Sequence, residues 1–387
     1  MPRLSAPPPV SHAPPLGALL RQYAAGSALT CDPVEQGLLN RGYRLRTTRG
    51  RYFLKHHFDP ETADPTAIAR QHRATQRLAD LGVPVAPPLT GTDGRTVAVI
   101  GGHAYALHPW IDGRHRHGGQ LTTQQCARLG ALLGVVHASL ERVMPSQGRT
   151  PARPTDVTGA TEGSARAGGS ARAGGSARAG GSARAGAGGA AAAEGVDPAR
   201  GADPADTFAL IDRLLAQVRR HRPHDAFDEL ARHRLLERRA LLERHADRRP
   251  PQGGSVGWVH GDFHPFNLLY RDGEPAAIVD WDRLGVHPRA EEAVRAAVIF
   301  FVRPVGALDL AKVRAYARAY RRTAGAGPAE LAAAVHRVWW ERLNDFWMLR
   351  WHYERGDTRA DPQFPAASAL AVWWTREYDT VCEAFAG

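Results

Sequence analysis

Residues 257–282 read GWVHGDFHPFNLLYRDGEPAAIVDWD, and this stretch holds five carboxylates, one carboxamide and two histidines between short apolar runs. Val256, Trp258 and Val259 lead into a loop, His260-Gly261-Asp262. Phe266, Leu268 and Leu269 then start a strand, Asp272-Gly273 is a two-residue turn, and Ala276 to Trp281 returns as the second arm of a hairpin. If Arg271 pairs with Glu274 across that turn, Asn267 faces Ile278. Asp280 then shares the face of Asn267 as a diagonal neighbour roughly 7–8 Å away.

Asn267 and Asp280 offer hard oxygen donors. Mg²⁺ takes one or two protein oxygens and completes its shell with water and nucleotide phosphates, so this sparse pair suits a phosphoryl-transfer site. Asp262, five residues before Asn267, is then free to orient a hydroxyl and accept its proton as the γ-phosphoryl leaves ATP. Taken singly, Asp262 equally fits an Asx turn and Asp280 a strand end; the three at this spacing point to the site.

HGDFHPFN followed by IVDWD resembles the catalytic segment of the aminoglycoside phosphotransferase family, small-molecule relatives of protein kinases that include homoserine, choline and methylthioribose kinases. The resemblance implies that Asp262 is the base, that Asn267 and Asp280 hold Mg²⁺, and that His260 and His264 pack and hydrogen-bond behind the loop. D-W-D departs from the glycine of D-F-G, which leaves Asp282 either behind the metal ligands or as an ordinary strand-end carboxylate. The implied fold is α+β and protein-kinase-like, with a small N-terminal β lobe and a mainly helical C-terminal lobe. The implied reaction is ATP- and Mg²⁺-dependent phosphorylation of a hydroxyl on a small amine, amino alcohol, sugar or aminoglycoside-like acceptor.

Of the 50 basic residues only Lys55 and Lys312 are lysine. In a chain so biased to arginine, a lysine on a strand marks a place for a compact point charge. Gly42 to Thr47 and Tyr52 to His57 read as two β arms around Thr48-Arg49-Gly50. Lys55 therefore sits where the family resemblance implies the lysine that reaches the nucleotide α- and β-phosphates. Upstream, LLNRGYR resembles a phosphate-covering turn, with Asn40 and Gly42 presenting backbone N–H groups; a plain turn fits as well. Leu16 to Ala25 is a short helix, followed by a break at Cys31-Asp32-Pro33. Ala67 to Leu81 is a helix stopped by Gly82-Val83-Pro84. It carries no glutamate to pair with Lys55, so Gln71 or His72 replaces it or an acid comes from elsewhere.

Thr96 to Ile100 and Ala104 to Trp110 form a second hairpin around Gly101-Gly102, and its end, HPWIDG, resembles the hinge between lobes. Backbone groups near His108 and Trp110 would there meet adenine. Leu121 to Val143 follows as an amphipathic helix with Leu129, Leu132, Leu133, Val136 and Leu140 on one stripe. The boundaries expected are a disordered leader at 1–15, a nucleotide-binding lobe at 16–110 and a catalytic, acceptor-binding lobe at 111–387.

Residues 148–203 interrupt that larger lobe with four copies of GSARAG between Gly163 and Gly186. Such a composition buries too little to offset an ordering entropy of roughly 1–2 kcal/mol per residue, so a disordered, dispensable insertion is expected. Helical patterns return over Thr207 to Asp247, with a break near Pro223, and over Glu291 to Phe301, Asp309 to Arg322, Pro328 to Glu354 and Pro365 to Phe385. Six of the nine tryptophans lie beyond residue 338. At helical spacing they read as core; alternatively Trp340, Glu341, Asp345 and Trp351 form an acceptor pocket of ring faces and carboxylates for a cationic substrate.

The net charge of +11 is spread along the chain: Thr207 to Pro250 mixes eleven arginines with seven acidic residues. That pattern reads as a solvated face, not a nucleic-acid surface. Cys31, Cys126 and Cys382 are too scattered for a disulfide framework or a zinc motif. With no membrane span or signal-type leader expected, the chain reads as cytoplasmic and without an obligate protein partner. Two rival readings remain beside the small-molecule kinase. One is a nucleotide-binding protein without turnover, suggested by the missing helix glutamate; the other, a protein-substrate kinase, lacks an activation-loop signature after Asp280.

Overall fold

The computed structural model describes residues 13–34, 40–58, 63–144, 201–251 and 254–387. Apart from residues 13–15 and 201–203, the expected leader and insertion lie outside the described residues.

The N-terminal part starts with helix α1 (Leu16–Gln22) and strands β1 (Ala28–Val34), β2 (Arg41–Thr47) and β3 (Gly50–His57). Helix α2 (Pro65–Asp80), β4 (Ala98–Ile100) and β5 (His103–Pro109) follow. The strands form one antiparallel sheet in the order β1-β2-β3-β5-β4. Thr47 pairs with Gly50 across Thr48-Arg49, so the hairpin expected around Thr48-Arg49-Gly50 is present with a two-residue turn and Gly50 in the strand. The break expected at Cys31-Asp32-Pro33 is instead inside β1. Proline cannot donate to a ladder, and an edge strand is where a sheet tolerates it. Leu19, Leu45, Leu54, Tyr105 and Leu107 fill the core between α1 and the sheet.

Helix α2 begins where Asp64 accepts the Thr66 and Ala67 amides and Pro65 takes the first turn, and it ends before Gly82 in the left-handed region. The chain beyond it is tied to the hairpin of residues 268–278: Ile278 donates its amide to the Pro84 carbonyl at 2.8 Å.

Helix α3 (Thr123–Val143) is capped by Thr122 and Gln125 and buries Leu129, Leu133, Val136 and Leu140 completely. Helices α4 (Pro204–Arg220) and α5 (Ala226–His245) follow, separated at Pro223 as expected. Strands β6 (Val256–Val259), β7 (Leu268–Arg271), β8 (Glu274–Ile278) and β9 (Gly285–Pro288) make two small sheets, β6 with β9 and β7 with β8. Strand β9 was not expected, being four residues long with a single branched apolar residue, Val286.

Helices α6 (Arg289–Phe301), α7 (Leu310–Ala324), α8 (Pro328–Asn344), α9 (Trp347–Arg350), α10 (Phe364–Arg376) and α11 (Tyr378–Ala386) complete the fold. The single helix expected over Pro328 to Glu354 is broken. Asp345 turns extended, and its carboxylate accepts the Trp347 amide at 3.1 Å, the local competition with helical bonding that aspartate favours. A π-helical turn, Trp351–Arg355, follows α9. Trp339, Trp340 and Trp374 sit in the large core with Leu133, Leu214 and Phe300. Among the described residues no helix is long and apolar enough to cross a membrane.

Candidate active site

The loop between β6 and β7 is fixed from several sides. Gly261 stands at φ +86°, and a Cβ on it would lie 2.1 Å from the Arg283 carbonyl oxygen, so glycine is required there. His260 is fully buried. Its Nε2 lies 3.0 Å from the Val279 carbonyl, which can only accept, so Nε2 carries the proton and Nδ1 is left to accept the Asp262 amide at 3.2 Å. Burial holds this ring below the usual histidine range. Thus His260 is a neutral brace for the Asp262 backbone.

Pro265–Asn267 forms a short 3-10 turn, and Asn267 Nδ2 donates to the Asp262 carbonyl at 2.9 Å. His264 Nδ1 accepts the Phe266 amide, which leaves Nε2 facing the Asp262 carboxylate at 3.5 Å. The expected strand therefore starts later, after Asn267. Arg271 pairs with Glu274 and Tyr270 with Pro275, but a bulge after Leu269 places Leu268 opposite Ile278. Pro275 has no N–H for the ladder, and Tyr270 exchanges both its backbone bonds with Arg114 instead, each at 2.9 Å. The diagonal relation expected between Asn267 and Asp280 on an unbroken ladder is thereby corrected. Asn267 reaches β8 through its backbone, its carbonyl accepting the Val279 amide at 2.9 Å.

Lys55 crosses from the other lobe. Its Nζ lies 2.7 Å from Asp280 Oδ1 and 2.7 Å from Asp282 Oδ2. Burial alone would lower the lysine pKa, but the two carboxylates together raise it, so the ammonium stays charged. For Asp280 the Lys55 charge outweighs burial and holds the carboxyl below its ordinary value. Asp282 is more enclosed; burial, together with the Asp280 charge, pushes it up. Asp280 adopts φ +61°, a left-handed backbone uncommon for a residue with a side chain. The acid that α2 lacks thus comes from Asp280 and Asp282. Gln71 still takes part, its Nε2 donating to the Asp282 carbonyl at 2.8 Å, and Asn40 Nδ2 donates to Asp282 Oδ2 at 2.5 Å. His72 turns away to Thr96.

Two expectations about nucleotide contacts change. Gly42 lies within β2, between Val34 of β1 and Lys55 of β3, so its backbone belongs to the sheet and not to a phosphate-covering turn. The Trp110 amide donates to the Arg51 carbonyl at 3.1 Å and is not available to an adenine edge. The His108 ring is turned to the Ala86 carbonyl at 2.9 Å, and burial lowers its pKa to about 4.

The sequence missed Glu292. From the first turn of α6 it accepts the Gly261 amide at 2.5 Å and the His260 amide at 3.3 Å, and it meets His137 Nε2 of α3 at 2.6 Å. Although burial alone would raise its pKa, the His137 hydrogen bond and charge hold it below the usual glutamate value. In the sequence it is one of two glutamates opening a helix, a pattern that reads as a surface residue complementing the helix dipole.

The pocket read over Trp340, Glu341, Asp345 and Trp351 is corrected. Trp340 is buried and donates Nε1 to the Ala202 carbonyl at 3.0 Å, and Trp351 is buried against Trp347. Glu341 pairs with Arg295 at 2.6 Å. Asp345 is pushed up to about 6 by burial and caps Trp347. At helical spacing both readings look alike in sequence; only the packing separates them.

A family model for the phosphotransferase enzyme family matches residues 30–326. Among curated proteins, the homoserine kinase of Bartonella tribocorum is 27% identical over 126 residues, 33% of this chain and 38% of that protein. The chain therefore spans little more than a third of the length of that relative. Among solved structures, amicoumacin kinase in complex with AMP-PNP, Ca²⁺ and Ami aligns over 94% of this chain and 92% of its own, with a TM-score of 0.52 and 17% identity. A microcompartment-associated aminopropanol kinase aligns over 96% of this chain and 99% of its own, with a TM-score of 0.54 and 14% identity. At such identities the likeness establishes the fold, a two-lobe α+β arrangement of protein-kinase type.

Proposed function

Because this chain belongs to the phosphotransferase enzyme family, we propose that it transfers the γ-phosphoryl group of ATP to a hydroxyl of a small molecule. The observation that carries this reading is the meeting of Lys55 with Asp280 and Asp282 at 2.7 Å, beside a loop that presents Asp262. Asp262 is the base: its amide is accepted by His260 and its carbonyl accepts from Asn267, while Glu292 holds the two amides before it. It orients the hydroxyl and takes its proton as the phosphoryl group departs. Lys55 exchanges a carboxylate for nucleotide phosphates, and Asp282, anchored by Asn40 and Gln71, keeps the lysine aimed.

The donor set fits Mg²⁺. Asn267 directs Nδ2 to the Asp262 carbonyl, which turns Oδ1 the other way, and Asp280 stays ionised, so these two hard oxygens would hold the ion and nucleotide phosphates and water would complete its shell. The metal would neutralise charge on the transferring group. The acceptor class proposed is an amine, amino alcohol, sugar or aminoglycoside-like compound. The aminopropanol and amicoumacin kinases support it by analogy of fold alone. A cytoplasmic location and the lobe boundaries at 16–110 and 111–387 belong to the same proposal.

The test is ADP release by purified protein with ATP and Mg²⁺ against a panel of hydroxylated amines, sugars and amino alcohols. Acceptor-dependent release that vanishes in Asp262→Asn supports the proposal. Nucleotide binding without turnover for any acceptor would favour the non-catalytic reading.

A further inference from the structure

Away from the site just described, three elements of the C-terminal lobe converge on one carboxylate. Asp228, in the first turn of α5, is fully buried. His221, at the end of α4, sets Nδ1 3.0 Å from Asp228 Oδ2, and Tyr353 of the π turn donates its hydroxyl to Oδ1 at 2.7 Å. His352, also on the π turn, comes to the same place. One ligand atom from each of His221, Asp228 and His352 lies within 4.8 Å of the others, and among the described residues no other group of histidine, cysteine and carboxylate side chains is so placed.

The chemistry of His352 is specific. Its Nδ1 lies 2.8 Å from Asp361 Oδ2. A carboxylate can only accept, so Nδ1 carries the proton and Nε2 is the ring's lone pair. A second carboxylate behind a histidine is the arrangement that fixes the tautomer and raises the basicity of a metal-binding imidazole. Phe227 stacks on one face of the ring, with centroids 4.2 Å apart, and holds its plane. A π turn is a rare element that recurs at functional positions, and here it puts His352 and Tyr353 side by side against α5. The capping bond from the Asp225 amide to Asp228 explains why an acid stands at this helix start, but not why two histidines, a tyrosine and Asp361 gather round it.

We propose that His221, Asp228 and His352 form a zinc-binding site, with water as the fourth ligand. Two imidazoles and one carboxylate are a donor set for Zn²⁺ or a similar late divalent ion and unsuited to Mg²⁺ or Ca²⁺, which take oxygen. Bonds of about 2.0–2.1 Å in tetrahedral geometry need donor atoms roughly 3.3 Å apart, so the 3.0 Å His221–Asp228 pair opens slightly while His352 closes in from within 4.8 Å. The His221 Nδ1 proton directed at Asp228 occupies the position the ion takes, and on binding the ring carries its proton on Nε2 instead, which frees Nδ1 to coordinate. The ion clasps the end of α4 and the start of α5 to the π turn.

The full chain, stripped with EDTA, is titrated with Zn²⁺ by calorimetry, with metal content measured after gel filtration. One zinc per chain, a raised melting temperature and no comparable response to Mg²⁺ or Ca²⁺ are expected. His352→Ala abolishes the binding, Asp361→Asn weakens it about 10–100-fold, and Asp280→Ala, at the proposed phosphoryl-transfer site, leaves it unchanged. Asp228→Asn also disturbs a helix cap, so His221→Ala and His352→Ala decide the matter. Zinc retained at full stoichiometry in both histidine variants, or none bound by the parent protein, overturns the proposal.

Discussion

The carboxylate of Glu292 accepts the Gly261 amide at 2.5 Å, so a residue on α6 holds the loop from which Asp262 projects. Through His137 the same carboxylate joins α3, and Tyr320 of α7 lies 3.1 Å from the other nitrogen of that imidazole. The His260-Gly261-Asp262 loop is in this way built into the helical core.

Removing that carboxylate leaves His137 and two backbone amides buried without their partner. Glu292→Ala is expected to lose about 1–3 kcal/mol of stability, the usual effect of leaving buried hydrogen-bonding groups without their acceptor. Glu292→Gln keeps one acceptor oxygen and should lose less. Urea unfolding curves of both variants measure the difference; equal stability of Glu292→Ala and the parent protein would contradict the role.

Asp262→Asn should lower turnover by at least about 100-fold, the low end for removal of a general base. ATP affinity should be nearly intact, because the base acts on the acceptor and not on the nucleotide. Steady-state kinetics with calorimetric ATP binding separate the two quantities, and undiminished turnover removes Asp262 from the mechanism.

Asp280→Ala should lose metal-dependent nucleotide binding. Asp282 cannot substitute for it, being held by Lys55, Asn40 and Gln71. ATP titrations with and without Mg²⁺ test this, and a Mg²⁺ effect equal to that of the parent protein counts against Asp280 as a ligand.

Acid should destabilise the fold through the N-terminal lobe. His57 and His72 are buried, and burial lowers their pKa values to about 2 and about 3 from an ordinary 6.5. Both are neutral in the native state, whereas the unfolded chain binds their protons as pH falls through 6.5. Stability is therefore complete above that pH and declines below it, by up to about 1.4 kcal/mol per histidine for each pH unit. Neither nitrogen of His57 has a hydrogen-bond partner among the described residues. His57→Leu should leave neutral-pH stability unchanged or raised and flatten the slope between pH 6 and about pH 4. An identical slope in the variant would show that other groups govern acid unfolding.

What could be read from the sequence were features whose causes are local. Asp272-Gly273 turns a hairpin because few dipeptides accept its backbone, and Gly82-Val83-Pro84 ends a helix for a similar reason. The stripe Leu129, Leu132, Leu133, Val136 and Leu140 announces an inward-facing helix face by its period, all but Leu132 being fully buried. HGDFHPFN with IVDWD carries the family in types and spacing. Lys55 stands out against the arginines, although its partners are not visible from where it lies in the chain.

Tertiary structure decided what depends on distant neighbours. Pro275 and the backbone of Arg114 together impose the bulge that moves Asn267 off the strand, and no pairing rule applied to the hairpin alone contains Arg114. Asp282 becomes a lysine partner because β3 crosses over it. Glu292 becomes a buried brace because α6 starts beneath the Gly261 loop, and Trp340 and Trp351 become core because other helices cover them. Spacing along the chain fixes which face a side chain occupies, but whether that face meets water, a ligand or another helix is set by contacts between residues far apart in sequence. Those contacts leave no local pattern.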